Sequence, residues 1–203
     1  MNTFRATRLA VLLLLALPVA SSVRAEDTTL KAGVFEPPRA APDFRLRASD
    51  GGDLTLGRYR GKVVLLFFGY THCPTVCPTT LGTLASVKKR LGSDGGDLQV
   101  IYVTVDPEHD DVRRLHDYLA NVDPTFLGAT GTAEQLEVVR RDYGVSSSKL
   151  AAGLFNHSSF VYLIDRAGTL RALMPYGQPA DAYVHDVRIL LGRPDAGRAD
   201  AGS

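Results

Sequence analysis

Residues 63–68 read Val-Val-Leu-Leu-Phe-Phe, an apolar run with no polar alternation. An amphipathic element would alternate, or recur at helical spacing. This run therefore predicts a short strand buried on both faces, at the centre of a sheet covered by helices. The flanking pattern agrees. A short strand around Asp43–Arg47 and a turn at Asp50-Gly51-Gly52 come first. Pro78–Leu91 follows the run as a helix, with Leu81, Leu84, Val87 and Leu91 on one stripe. Leu98–Val105 is the next strand, and Val112, Leu115, His116 and Leu119 mark a second helix. Thr125–Ala129 reads as a short strand. Thr132 and Gln135 make a capping box that opens a third helix, which carries Leu136, Val139 and Tyr143 and stops at Gly144. Phe160–Asp165 and Thr169–Leu173 flank Arg166-Ala167-Gly168 as a hairpin. A last helix runs from Pro179 to Leu191. This order predicts an α/β fold, a single domain with a central mixed β-sheet flanked by helices.

The ends read differently. Arg5 and Arg8 precede the apolar run Leu9–Leu17, and Val23-Arg24-Ala25 is a small-x-small pattern, so residues 1–25 are expected to be a cleaved secretory signal peptide. The apolar stretch is short for the roughly 20 residues of a spanning helix; an uncleaved leader would instead tether the protein to a membrane. Residues 26–40, with Pro37-Pro38, are expected to be an extended N-terminal segment, residues 41–192 the folded domain, and residues 193–203 a disordered tail. Removing the leader takes away Arg5, Arg8 and Arg24 and no acid, leaving 20 basic against 22 acidic side chains. With no basic excess and no lysine- or arginine-rich block, nucleic acid is not an expected partner. Export would place the two cysteines where disulfides can form and persist, and the expected location is the bacterial periplasm.

The stretch after the apolar run, Tyr70-Thr-His-Cys-Pro-Thr-Val-Cys-Pro78, holds both cysteines of the chain, Cys73 and Cys77. Residues before proline avoid the helical region, so this is read as a loop, with Pro78 at the first helical position and Cys77 as the N-cap. A sulfur there faces unpaired N–H groups and the positive end of the helix dipole, which favours thiolate. A disulfide closing so short a loop contributes only about 2 kcal/mol, a weak reason for a purely structural clip. Structural zinc needs four ligands, and no second close Cys or His pair is present. A third candidate ligand is His157, just before the strand Phe160–Asp165, which approaches the cysteine loop if that strand neighbours residues 63–68. Two thiolates and one imidazole suit a soft ion of low coordination number, above all Cu(I). The side chain of His72 is expected to diverge from Cys73. His109 and His116 are placed on the second helix and His185 on the last, all as solvated or packing residues. A cysteine pair between a central strand and its following helix also suggests the thioredoxin arrangement.

Over residues 41–191 the chain resembles the Sco/SenC proteins, which serve cytochrome c oxidase assembly. The resemblance rests on "APDF", "GKVVLLFFGYTHCPTVCPTTL", "VTVDPEHD", "DPTFLGATGT" and "HSSFVYLID". It implies a thioredoxin-like domain binding one copper ion, Cu(I) with Cu(II) as a second state, through Cys73, Cys77 and His157. Asp106 matches an acidic residue near that site. The partner implied is the copper-binding subunit of cytochrome c oxidase, or another periplasmic copper carrier, in assembly of a dinuclear copper centre. Three departures stand out. Thr75 replaces the Asp common between the cysteines, "FNHSS" replaces the usual "VDHS", and His109 stands where Arg is common.

Two functions remain open at this level. One is a copper metallochaperone. The other is a thiol–disulfide oxidoreductase that reduces partner cysteines through Cys73 and Cys77. Thioredoxins place two residues between their cysteines and face them with a cis-proline. Here the spacing is three, and no proline occurs between Pro124 and Pro175, which favours the metal.

Overall fold

The computed structural model describes residues 28–150 and 154–193, apart from the side chains of Asn156 and His157. The expected signal peptide, residues 1–25, and the tail from residue 194 lie outside the described residues. Among the described residues, no helix is long and apolar enough to cross a membrane.

Strand β4, Val63–Gly69, is buried along its whole length. It pairs in parallel with β5, Leu98–Thr104, from Val63 opposite Leu98 to Gly69 opposite Thr104. On its other side it pairs antiparallel with β9, Phe160–Ile164. With strands on both edges and helices on both faces, no position on β4 meets water, which is why its sequence shows no alternation. Side-chain alternation still decides what each residue touches. Phe67 packs against Tyr102 at 5.7 Å, whereas Phe68 faces Tyr143 and Tyr162 at 5.7 and 5.6 Å.

The sheet continues outward from this centre. Beyond β5 lie β6, Leu127–Thr130, then β2, Arg45–Ala48, and β3, Asp53–Thr55; beyond β9 lie β10, Thr169–Pro175, and β1, Gly33–Ala40. Helix α1, Val76–Leu91, packs on α4, Ala180–Leu191; α2, Val112–Ala120, packs on β6; α3, Ala133–Tyr143, leads out of β6. This is the α/β arrangement with a mixed sheet expected from the order of elements, in the thioredoxin-like form that the cysteine pair and the resemblance suggested.

Local chemistry sets the boundaries. The capping box is present: the Thr132 hydroxyl accepts from the Gln135 N–H at 3.2 Å, and the Gln135 side chain accepts from the Thr132 N–H at 2.9 Å. Gly144 ends α3 in the left-handed region at φ 68°, a conformation that costs glycine little. Strand β6 begins at Leu127 rather than Thr125, because Asp123 accepts from both the N–H and the hydroxyl of Thr125 and holds it in a turn.

The segment read as an extended lead-in contains strand β1, paired antiparallel with β10. Its register shifts between Val34 and Arg39, across Pro37-Pro38. Proline has no N–H to give, so such a strand is tolerated only at an edge. Its approach is fastened by the fully buried Asp186, which accepts from the N–H groups of Lys31 and Ala32 at 2.8 and 2.9 Å. A second, two-stranded ribbon pairs β7, Ser147–Lys149, with β8, Phe155–His157.

Candidate metal centre

The cysteine loop leaves the C-terminal end of β4 and enters α1. Helix α1 starts at Val76 with Thr75 as N-cap, so the expectation that Cys77 caps the helix is corrected. Cys77 lies in the first turn, and Pro78 follows it there. All N–H groups of that turn lack intrahelical partners, so proline fits beyond the first position as well. The sulfur at the head of the helix belongs to Cys73, which accepts from the Cys77 N–H at 3.5 Å.

This exchange reverses the expected protonation. The Cys77 thiol donates to Cys73, and the N–H groups of Cys77, Thr75 and Val76 add to it, overcoming burial and holding the Cys73 thiol down to about 4 from 9.0. Cys77 moves the opposite way, because its proton serves that hydrogen bond and because it is buried. The pair is therefore one thiolate and one thiol, not joined by a disulfide. In the reduced protein, iodoacetamide is expected to label Cys73 first, and its labelling rate to fall only as pH drops through about 4. A single labelling midpoint near an ordinary thiol value, for both cysteines, would contradict this arrangement.

Behind the pair, Gly69 makes room for it. A Cβ at that position would lie 2.5 Å from Tyr102 Oη and 2.7 Å from Cys77 Sγ. The Tyr102 hydroxyl is buried against the Cys77 sulfur, and burial first, then that neighbouring sulfur, raises it well above its ordinary range. The start of the loop is pinned by Asp110, fully buried. Asp110 accepts from the Thr71 N–H at 3.0 Å, the Thr71 hydroxyl at 2.6 Å and the Thr104 hydroxyl at 2.7 Å. Arg114 donates to the same Thr71 hydroxyl at 3.0 Å. These bonds tie the cysteine loop to the end of β5 and the approach to α2.

Tyr70 joins the loop to the β7–β8 ribbon. Its hydroxyl accepts from the Phe155 N–H at 3.3 Å, and its ring lies 5.4 Å from that of Phe155. A cleft of about 320 Å³ opens here, with Cys73, Tyr70 and Val76 on one side and Leu154, Phe155 and Ser159 on the other. The backbone of His157 lies on β8, opposite Ser147. Its side chain is outside the described residues.

Asp106 is nearly fully buried, and its partners are imidazoles. Its Oδ2 lies 2.8 Å from His109 Nδ1 and 3.6 Å from His72 Nε2. His109 is not on α2, which starts at Val112, but in the turn before it, where the N–H groups of His109 and Asp110 donate to the Asp106 carbonyl. His116 and His185 sit on α2 and α4 beside Asp117 and Asp186. Sequence reasoning passed over Gly69, Tyr70, Tyr102 and Asp110. Only Gly69 carried a signal, as a small residue closing an apolar run beside two cysteines.

The donor set fits a soft ion: two adjacent sulfurs, one of them held toward thiolate. Residues 34–192 match the family model SCO1/SenC. An SCO2-like protein of Rickettsia conorii is 30% identical over 157 residues, covering 74% of this chain and 73% of its own. The mitochondrial SCO2 homologue of Bos taurus is 37% identical over 143 residues, and the chain spans 52% of its length. Among solved structures, apo Sco1 of Thermus thermophilus superposes with a TM-score of 0.72 at 32% identity, over 80% of this chain and 98% of that one. Copper-bound ScoI of Arabidopsis thaliana gives 0.70 at 30% identity, over 74% and 98%. On its fold, its cysteine loop and these matches, the chain belongs to the SCO1/SenC family.

Proposed function

We propose that this protein is a periplasmic copper metallochaperone that carries one Cu(I) on Cys73, Cys77 and His157 toward the dinuclear copper centre of cytochrome c oxidase. The observation that carries the reading is the adjacent sulfur pair of Cys73 and Cys77 at the head of α1, with Cys73 open to a cleft. Phe155 and Ser159, two positions either side of His157, line that same cleft. A relative at 30% identity is described as copper-bound. The partner is the oxidase's copper-binding subunit or another periplasmic copper carrier, and the leader of residues 1–25 supplies export.

The chain's own groups divide the work. Cys73 is charged before any ion arrives, whereas Cys77 must give up its proton when one is bound. Tyr102 Oη lies beside that buried sulfur, as a donor placed to meet its new charge. Asp106 acts from outside the ligand set, through the loop residue His72.

A second reading, reduction of partner disulfides, is favoured by one feature: a nucleophilic Cys73 thiolate with a buried thiol beside it is also the arrangement of an attacking and a resolving cysteine. Titration of the reduced full chain with Cu(I) separates the two. About one equivalent is expected to bind, weakened by His157→Ala and lost in Cys73→Ser. Absence of stoichiometric binding, together with rapid disulfide reduction indifferent to His157→Ala, would establish the reductase instead.

A further inference from the structure

We infer that His72, Asp106 and His109 form a second metal site, separate from the sulfur pair, that takes a borderline divalent first-row ion. The two imidazoles come from different loops. His72 belongs to the loop after β4, and His109 to the turn after β5. They converge on one carboxylate, 3.6 and 2.8 Å from Asp106 Oδ2, with ring centroids 5.4 Å apart. Glu108 adds a second carboxylate: ligand atoms of Asp106, Glu108 and His109 all lie within 4.8 Å of one another. Two ligands bound to one such ion, at about 2.0–2.2 Å each, stand roughly 3–4 Å apart. Asp106, Glu108 and His109 already stand close to that spacing, and His72, 3.6 Å from Asp106 Oδ2, must swing toward His109 to join them on one ion.

An independent observation points the same way. Asp106 is 1% exposed, yet its Oδ1 has no hydrogen-bond partner among the described residues. A carboxylate buried with one oxygen unsatisfied is costly unless a positive charge compensates it. Glu108 Oε2 holds Lys149 Nζ at 2.7 Å, so an ion that recruits Glu108 must displace that ammonium. Imidazole with carboxylate is the donor set of Cu(II), Zn(II) and Ni(II) rather than of Cu(I). Among these the affinity order favours Cu(II). The inference does not rest on the sulfur pair, and either site can fail without the other.

The test is a Cu(II) titration of the full chain carrying Cys73→Ser and Cys77→Ser, which removes the thiols as ligands and as reductants. Electron paramagnetic resonance is the readout. One equivalent is expected to bind, with hyperfine coupling from two nitrogens. Adding His109→Gln, whose amide keeps a donor for the buried Asp106 carboxylate, is expected to weaken binding at least about tenfold and remove one nitrogen, the scale on which even outer partners of a metal act. Adding His157→Ala instead is expected to change neither. No saturable binding, binding indifferent to His109→Gln, or loss of a nitrogen with His157→Ala would each overturn the site. Uptake of Cu(I) by the chain with both cysteines, unchanged in His109→Gln, shows that the sulfur site stands or falls separately.

Discussion

Gly69→Ala is expected to destabilise the protein by about 1–3 kcal/mol, the range for overpacking a close-packed core, and to weaken Cu(I) binding at least about tenfold. The added methyl carbon would stand 2.5 Å from Tyr102 Oη, 2.7 Å from Cys77 Sγ and 2.8 Å from Tyr102 Cε2. Neither neighbour yields easily. Tyr102 and Cys77 are fully buried, and Tyr102 packs against Phe67 and Tyr118 at 5.7 and 6.1 Å. The strain therefore falls on the position of the Cys77 sulfur. Thermal unfolding should show a drop of roughly 2–4 °C for each kcal/mol in a chain of this size. Removing the closest oxygen tests the cause. Gly69→Ala with Tyr102→Phe should recover part of the lost stability, a coupling expected of residues in contact. Additive losses would show that the crowding at Gly69 is not the reason.

Cys77→Ala and Cys77→Ser are expected to part company in one measurement and agree in another. Both should abolish stoichiometric Cu(I) binding, since each removes a soft ligand. Serine keeps a hydroxyl able to donate to Cys73, whereas alanine removes the hydrogen bond that is the largest cause of its low value. Titration of thiolate absorbance should leave Cys73 low in Cys77→Ser and move it up toward 9.0 in Cys77→Ala. The sign for stability follows from the depressed folded value. The contribution of Cys73 is fully present above about 9 and declines as pH falls, vanishing below about 4. In Cys77→Ala that pH-dependent part should shrink. A Cys73 that titrates alike in both variants would mean that the helix N–H groups alone hold the thiolate.

The central strand was legible because burial on both faces erases the alternation of Val63–Phe68, and amphipathic stripes marked the helices. Strand β1 was not, since Pro37-Pro38 argues against a strand and only an edge position accommodates it. The β7–β8 ribbon has three residues a side, too few for any period to show. The two sulfurs were legible at a helix head, but the charge was assigned to Cys77 because proline is favoured at the first helical position. Two extra residues of helix, Val76 and Cys77, moved that role to Cys73. The meeting of His72, His109 and Asp106 required knowing that the loops after β4 and β5 share one edge of the sheet, which follows from parallel pairing rather than from any motif. Donor chemistry and a place just before the predicted strand Phe160–Asp165 made His157 a candidate, and the resemblance implied a ligand there.

X-ray absorption of the Cu(I)-loaded full chain counts the ligands themselves. The prediction is two sulfurs and one nitrogen at the copper, with the nitrogen lost and both sulfurs kept in His157→Ala. A spectrum of sulfurs alone in the unsubstituted chain, or one unchanged by His157→Ala, would contradict the three-ligand site.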